Sequence, residues 1–575
     1  MQVLVRRITT RLLLLMLVFS FASQAALPQP PSQHGQSKFA DDTVLVRFVP
    51  GAAADQVAQA NHDVQGTVIR SFDAIGVKVI RVPKGSVTNA VQRYLRNPNV
   101  EFADLNYTRS VFLPTTTEGA EPGLGVANNF KEQYALQNTG QAFGATADPL
   151  FGSLIYPSYQ GTAGADINAP AGWNMTHGSS DIGIAILDSG IACTHLDFTT
   201  PVPPNPDPVN KCIEEVNLVA DKGSTLQDVL GHGTHVAGIA AAMPDNGVGI
   251  AGVGWDTKVG SLKTCWEDYS LYILGIIIGQ CDDDDVIEAI MHATDSGKYQ
   301  VISMSFAGPD VSSSVEVAVD YAWNNGMILV AGAGNNYSKE MMFPAAFANV
   351  IGVGSTDYHD NLSSFSTFGP WVSVLAPGTA ILSTVPGDAC GQALSEPSDC
   401  YAYKSGTSMS TPHVSGLAAL LLAQNPGASN AQIRGLIENG ADATGTMGQN
   451  LQAWSVHGRI NVGSSLSSNA EPTSHHVQSI SLSTVSADRG RKHGQATVIV
   501  VDDFGSPVSG ASVSGSFTGT FAESHSATTD GNGSATVTTT ATAKGGVTFS
   551  FCVDDVSHST TTYDSGANTA TCTNY

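Results

Sequence analysis

Three side chains of the kinds that build a nucleophilic relay, Asp188, His232 and Ser408, lie in separate glycine-bearing segments of this 575-residue chain. A serine hydroxyl attacks a carbonyl efficiently only when a base takes its proton, and an imidazole does so best when a carboxylate orients it. Ile182, Ile184 and Ile186 alternate up to Leu187-Asp188-Ser189-Gly190, which predicts Asp188 at the C-terminal edge of a strand, where open α/β sheets build sites. By itself such an aspartate is more often a turn cap than a catalytic group. In Gly231-His232-Gly233-Thr234-His235-Val236-Ala237-Gly238, the following apolar positions Val236, Ile239, Ala240 and Met243 have helical spacing, so His232 is predicted at a helix start. The separation of the two histidines and the missing carboxylate of an H-E-x-x-H site argue against zinc, and His235 reads as structural. Ser408 stands in Ser405-Gly406-Thr407-Ser408-Met409-Ser410-Thr411-Pro412-His413-Val414, ahead of a helix face carrying Val414, Leu417, Ala418, Leu421 and Leu422. That predicts Ser408 at a helix N-terminus beside unpaired N–H groups, with Pro412 in the first turn.

The three blocks, in the order Asp, His, Ser, resemble the subtilase family, and the resemblance covers most of residues 130–464. It implies an α/β fold with a parallel-sheet subtilisin-like domain and a serine endopeptidase, with Ser408 as nucleophile, His232 as base and acid, and Asp188 as its orienting carboxylate. Ala331-Gly332-Ala333-Gly334-Asn335 resembles the block ending in the oxyanion-hole asparagine, which gives Asn335 that role. The stretch Ile302 to Gly308 resembles a specificity-pocket wall, so Ser305, Phe306 and Ala307 with Ala331, Gly332 and Ala333 should flank substrate. Met342, before Phe343-Pro344, would form the floor of an apolar, shortened pocket. No cofactor is expected for the chemistry, whereas structural calcium is implied, with Asp197 and Asp245 as candidate ligands. The run Asp282-Asp283-Asp284-Asp285 reads as an acidic helix N-terminus complementing the dipole, the alternatives being calcium or a basic substrate residue.

Rival readings are weaker. An α/β-hydrolase esterase needs a G-x-S-x-G elbow, which does not surround Ser408. Sedolisin-like acid peptidases carry glutamate where His232 stands. A non-catalytic adhesin on the same scaffold would not need the triad and Asn335 together.

These groups need elements to hold them, and the chain is long enough for several domains at about 150 residues each. Alternation in Thr43–Phe48 and Val77–Val82, with helical stretches near 52–61 and 87–96, predicts a small α+β module over 43–107. Its end, Pro98 to Tyr107, resembles that of the subtilisin-type propeptide inhibitor, whose tail from Asn99 to Tyr107 would occupy the cleft. A connector follows over 108–129, then strands alternating with helices over 130–463, a Ser-rich linker over 464–478, and an all-β, Ig-like sandwich over 479–575. Arg6, Arg7 and Arg11, an apolar run from Leu12 to Ala22, and Ser23-Gln24-Ala25 predict a cleaved signal peptide over 1–25 and a secreted protein. Eight cysteines in that setting predict disulfides, the simplest pairing being sequence neighbours: Cys193–Cys212, Cys265–Cys281, Cys390–Cys400 and Cys552–Cys572. A formal charge of −24 disfavours nucleic acid and anionic membranes as partners. Peptide or protein substrates and the chain's own propeptide remain, with the enzyme expected as a monomer.

Overall fold

The computed structural model describes residues 38–111, 129–144, 159–199, 210–270, 277–387, 400–468, 472, 474–503 and 505–575. The expected signal peptide, most of the 108–129 connector and Cys390 lie outside them, as does the side chain of Cys400. In the N-terminal domain β1 (Phe39–Phe48), α1 (Ala54–Asp63), β2 (Thr67–Phe72), β3 (Val77–Arg81), α2 (Val87–Tyr94) and β4 (Val100–Val111) form an antiparallel sheet ordered β4-β1-β3-β2 with two helices. Both faces of this sheet are covered. Val44 and Val46 pack with Ala60, Ala90 and Tyr94 of the domain's own helices, while Leu45, Val77 and Val79 pack into the core of the central domain.

The central domain is built on β5 (Gly183–Asp188), β6 (Cys212–Asn217), α3 (His232–Ala241), β7 (Lys258–Lys263), β8 (Trp266–Asp268), β9 (Ile278–Asp282), α4 (Asp283–Asp295), β10 (Val301–Met304), α5 (Ser313–Asn324), β11 (Ile328–Gly332), β12 (Ile351–Thr356), β13 (Val374–Pro377) and α6 (Thr407–Gln424). Seven strands, in the order β13-β12-β11-β10-β5-β7-β6, pair in parallel throughout. Because side chains alternate across a strand, Ile184 and Ile186 of β5 join the layer of α3 and α6, whereas Ala185 and Leu187 join that of α4 and α5. The expected apolar face of α6 is only part of its burial, since Thr407 through Leu421 are all buried. Such a helix runs through the core, not along its surface.

Two assignments of boundaries change. The strand that ends the N-terminal domain continues through Thr108–Val111, four residues beyond the expected limit at Tyr107, because it pairs with β9 as well as β1. The linker expected over 464–478 shortens from both sides: Val462–Ser467 is a helix capped by Asn461 with Leu466 buried, and a strand begins at Ser474. Serine richness hid both. Here Ser and Thr alternate with residues such as Val477, which enters the core of two facing sheets built from residues 474–575. This is the expected β-sandwich. Disulfides join Cys193 to Cys212, Cys265 to Cys281 and Cys552 to Cys572, as neighbour pairing predicts.

Candidate active site

Asp188, the last residue of β5, accepts hydrogen bonds through Oδ1 from the Ser189 N–H at 2.7 Å and from His232 Nδ1 at 2.8 Å. Both side chains are fully buried, which strengthens the bond and fixes the ring. His232 opens α3 because Gly231 before it has φ 62°, a left-handed turn that glycine adopts without penalty. Asp228, not singled out in the sequence, anchors this corner: it accepts the Ser189 hydroxyl, the Gly231 and Thr234 N–H groups and the Thr234 hydroxyl. Nothing in its local pattern marks it, since its partners come from two separate motifs. Lys404 is a second such residue, donating to the Gly231 carbonyl at 2.7 Å. His235 donates Nε2–H to the Ile381 and Ala402 carbonyls, and burial holds it neutral, which agrees with a structural role.

Ser408 is the second residue of α6, and its carbonyl explains Pro412. The proline lies inside the helix, not in its first turn. It cannot donate to the carbonyl four residues back, and that carbonyl belongs to Ser408. The Ser305 hydroxyl donates to it instead at 3.0 Å. In return the Ser408 hydroxyl donates to the Ser305 carbonyl at 3.0 Å, and His232 Nε2 is buried without a partner. The Ser408 hydroxyl and His232 Nε2 are therefore not hydrogen-bonded to each other in this structure.

Asn335 follows Gly334, whose φ of 97° strains any other residue and where a Cβ would press on Met342 Cγ at 3.2 Å. Its Oδ1 accepts from the Thr407 N–H at 2.9 Å and the Thr407 hydroxyl at 3.0 Å. Two donors at one oxygen fix the amide orientation, so Nδ2 is presented to the cleft as a donor. The cleft is lined by Ser305, Phe306, Ala307, Gly332, Asn335 and Ser408, together with Ser110, Gly334 and Thr407. Of the expected substrate-flanking residues, Ala331 and Ala333 do not line it: they are wholly buried on the far sides of their strand positions. Met342 is also buried, packed beside Gly334 behind the lining.

Ser110 is in that cleft because the end of β4 lies along it as a strand. Gln280 of β9 is opposite Ser110 on one side, and Ala307 is opposite Ser110 on the other, with N–H···O distances of 3.3 and 3.4 Å. The segment in the cleft is thus Thr108–Val111, whereas Asn99–Tyr107 was the expectation; the earlier residues of β4 instead bind the helix starts of the central domain. Asn106 receives the Asp284 N–H at 3.1 Å, and Asp104 receives the Ser314 N–H at 2.9 Å, so each caps a helix of the other domain.

The four consecutive aspartates are buried, and the cations around them belong to the chain itself. Arg109 makes a two-point bond to Asp283, Nε to Oδ1 at 2.6 Å and Nη2 to Oδ2 at 3.1 Å. Lys222 bridges Asp282 and Asp285, and Arg70 reaches Glu288 at 2.6 Å with Asp284 and Asp285 near. Burial raises Asp283 to about 6 and Asp285 to about 8 against these partners. Asp282, Asp284 and Asp285 converge closely enough for a cation, and Lys222 supplies one.

Asp197 and Asp245 are not brought together. Asp197 is buried and accepts from Asn246 Nδ2 at 2.9 Å and the Ile250 N–H at 3.0 Å. Asp245 takes the left-handed conformation, φ 55°, at the tip of the turn and is exposed, and Asn246 turns inward in its place. The fit to calcium is partial: a buried carboxylate beside an amide-bearing loop, without the second carboxylate.

Comparison with known proteins follows the same division of the chain. Residues 179–455 match the subtilase family model, and residues 25–106 match that of the fervidolysin N-terminal prodomain. The chain is 34% identical over 428 residues to a thermophilic serine proteinase of Bacillus sp. (strain AK1), covering 74% of this chain and 88% of that protein. It is 40% identical over 302 residues to thermitase of Thermoactinomyces vulgaris, covering 52% and 93% respectively. In fold it resembles the crystal structure of fervidolysin from Fervidobacterium pennivorans, with a TM-score of 0.55 and 23% identity, over 92% of this chain and 74% of that one.

Proposed function

This chain belongs to the subtilase family of serine endopeptidases, and from that premise we propose that Asp188, His232, Ser408 and Asn335 carry out its peptide hydrolysis. The observation that supports this most is the buried 2.8 Å bond from His232 to Asp188 with Nε2 left free to take a proton. Ser408 turns from the Ser305 carbonyl to His232 Nε2 and attacks the peptide carbonyl as the imidazole removes its proton. Asp188 stabilises the resulting imidazolium and keeps its Nδ1–H pointed inward. The oxyanion meets Asn335 Nδ2 and the Ser408 N–H at the start of α6. The imidazolium protonates the leaving amine, and water, activated by the same base, hydrolyses the acyl-enzyme. A fluorophosphonate probe, which reacts with activated serines, is expected to label the wild-type chain and to leave Ser408→Ala unlabelled. Labelling of the alanine variant would remove Ser408 as nucleophile.

The N-terminal domain acts on this reading as the enzyme's own propeptide inhibitor, its tail lying in the cleft as a peptide would. Secretion through a cleaved signal over residues 1–25, and action as a monomer on protein or peptide substrates, complete the proposal. Among the described residues no helix is long and apolar enough to cross a membrane.

Structural calcium at the Asp197 loop, with Asn246 in place of Asp245, is also proposed. The ion would brace residues 244–250 and take no part in bond making. Chelation by EDTA is then expected to lower the melting temperature, by roughly 2–4 °C for each kcal/mol of binding lost, before it lowers the initial rate. An unchanged melting curve would take Asp197 out of any significant metal site.

A further inference from the structure

A subtilase cleft binds peptides as an added strand, and here the strand already bound carries its own specificity information. Ser110 is paired with Ala307, two residues from Ser305, whose carbonyl holds the Ser408 hydroxyl. Antiparallel strands pair at a constant sum of positions, so a peptide in this register presents to Ser408 the bond after the second residue beyond Ser110. Arg109 therefore stands at the fourth residue on the acyl side of the bond to be cut. Its side chain is 1% exposed and is received by specific groups: both oxygens of Asp283, itself fully buried, and the Phe343 carbonyl at 2.9 Å from Nη1. Two parallel N–H···O bonds to one carboxylate match a planar guanidinium and no other natural side chain as well.

The alternative for this pair is a permanent tie between the two domains. Its position argues otherwise, because Arg109 extends from the very segment that lies in the substrate register, while the domain-to-domain ties at Asn106 and Asp104 precede it. Asp283 belongs to the first turn of α4, whose start is set by β9 and whose core side chains Val286 and Ile287 are buried. Once the tail leaves, the same carboxylate remains beside the fourth substrate position, without the cation that compensated it. We propose that Asp283 makes the mature cleft selective for substrates with arginine at the fourth residue before the scissile bond. This rests on the peptidase reading above and specifies its substrate class.

The test compares matured wild-type enzyme on fluorogenic peptides with the sequence Xaa-Ser-Val-Phe before the cut, Xaa being arginine, citrulline or alanine. Citrulline keeps the shape of arginine and loses the charge. Arginine is expected to raise kcat/KM at least about tenfold over both others, since an unpaired buried carboxylate is costly. In Asp283→Asn the arginine-to-citrulline ratio should fall to about one. Equal hydrolysis of the three peptides by wild type, or an undiminished ratio in Asp283→Asn, overturns the proposal. If that variant fails to mature, because Asp283 also holds Arg109 in the precursor, the wild-type arginine-to-citrulline ratio decides. Failure to cut any of the peptides overturns the peptidase reading itself, and the selectivity with it, so the two failures are told apart.

Discussion

Ser408→Ala is expected to accumulate as an uncut chain and to hydrolyse peptides about 10⁶-fold more slowly than matured wild type, the scale on which a subtilisin loses turnover without its nucleophile. The lost hydroxyl forms the acyl bond, and no neighbouring group can substitute: Ser305 has its hydroxyl committed to the Ser408 carbonyl. The fold should persist, because the bond that disappears joins Ser408 to the Ser305 carbonyl, and both residues sit in a packed helix and a strand end held by many other contacts. Processing fails for a separate reason. With Thr108–Val111 in the cleft, the first bond offered to Ser408 is expected within the chain itself, and counting on from Ser110 in the register it shares with Ala307 predicts the bond after Phe112, which lies outside the described residues. Mass spectrometry of the wild-type product should therefore find a new N-terminus at Leu113, and the purified alanine variant should lack it. An alanine variant cut at that bond in the absence of other proteases would sink self-processing. A wild-type terminus elsewhere, with no trimming intermediate at Leu113, would sink the register.

Asn335→Ala is expected to lower kcat by about 10²–10³ with little change in KM, the loss seen when such a donor is removed from a subtilisin. The amide meets negative charge that exists only in the transition state, so ground-state binding should be almost untouched. A complication is that Asn335 Oδ1 also accepts the Thr407 N–H and hydroxyl at the start of α6. Removing it leaves two donors unpaired, at a cost of roughly 1–3 kcal/mol for a buried group. Asn335→Asp keeps those acceptors and replaces the donor with a repelling charge, so it separates the two effects. Retained stability with lost kcat in Asn335→Asp supports the oxyanion role. A variant that loses affinity at unchanged turnover contradicts it.

What was legible in the sequence is what adjacent residues decide together. Alternating isoleucines before Asp188 point to a strand, and His232 and Ser408 each fall in the first turn of a helix because glycines free the turn before them and apolar spacing follows. Neighbouring cysteines close short loops, which is the low-entropy choice. The tertiary structure alone decided pairings between distant residues: Arg109 with Asp283 lies 174 positions apart, and Asn335 with Thr407 lies 72. No period or composition encodes such distances. Desolvation is equally invisible locally: the aspartate run does start a helix, as its acidic pattern predicts, but nothing in that pattern shows it buried against Lys222, Arg70 and Arg109. The same holds for Pro412, whose missing N–H is tolerated within α6 because the Ser305 hydroxyl supplies the Ser408 carbonyl. Even the end of the N-terminal domain was set this way: residues 108–111 read as connector on their own and became a strand because the edge of β9 had free backbone groups to pair.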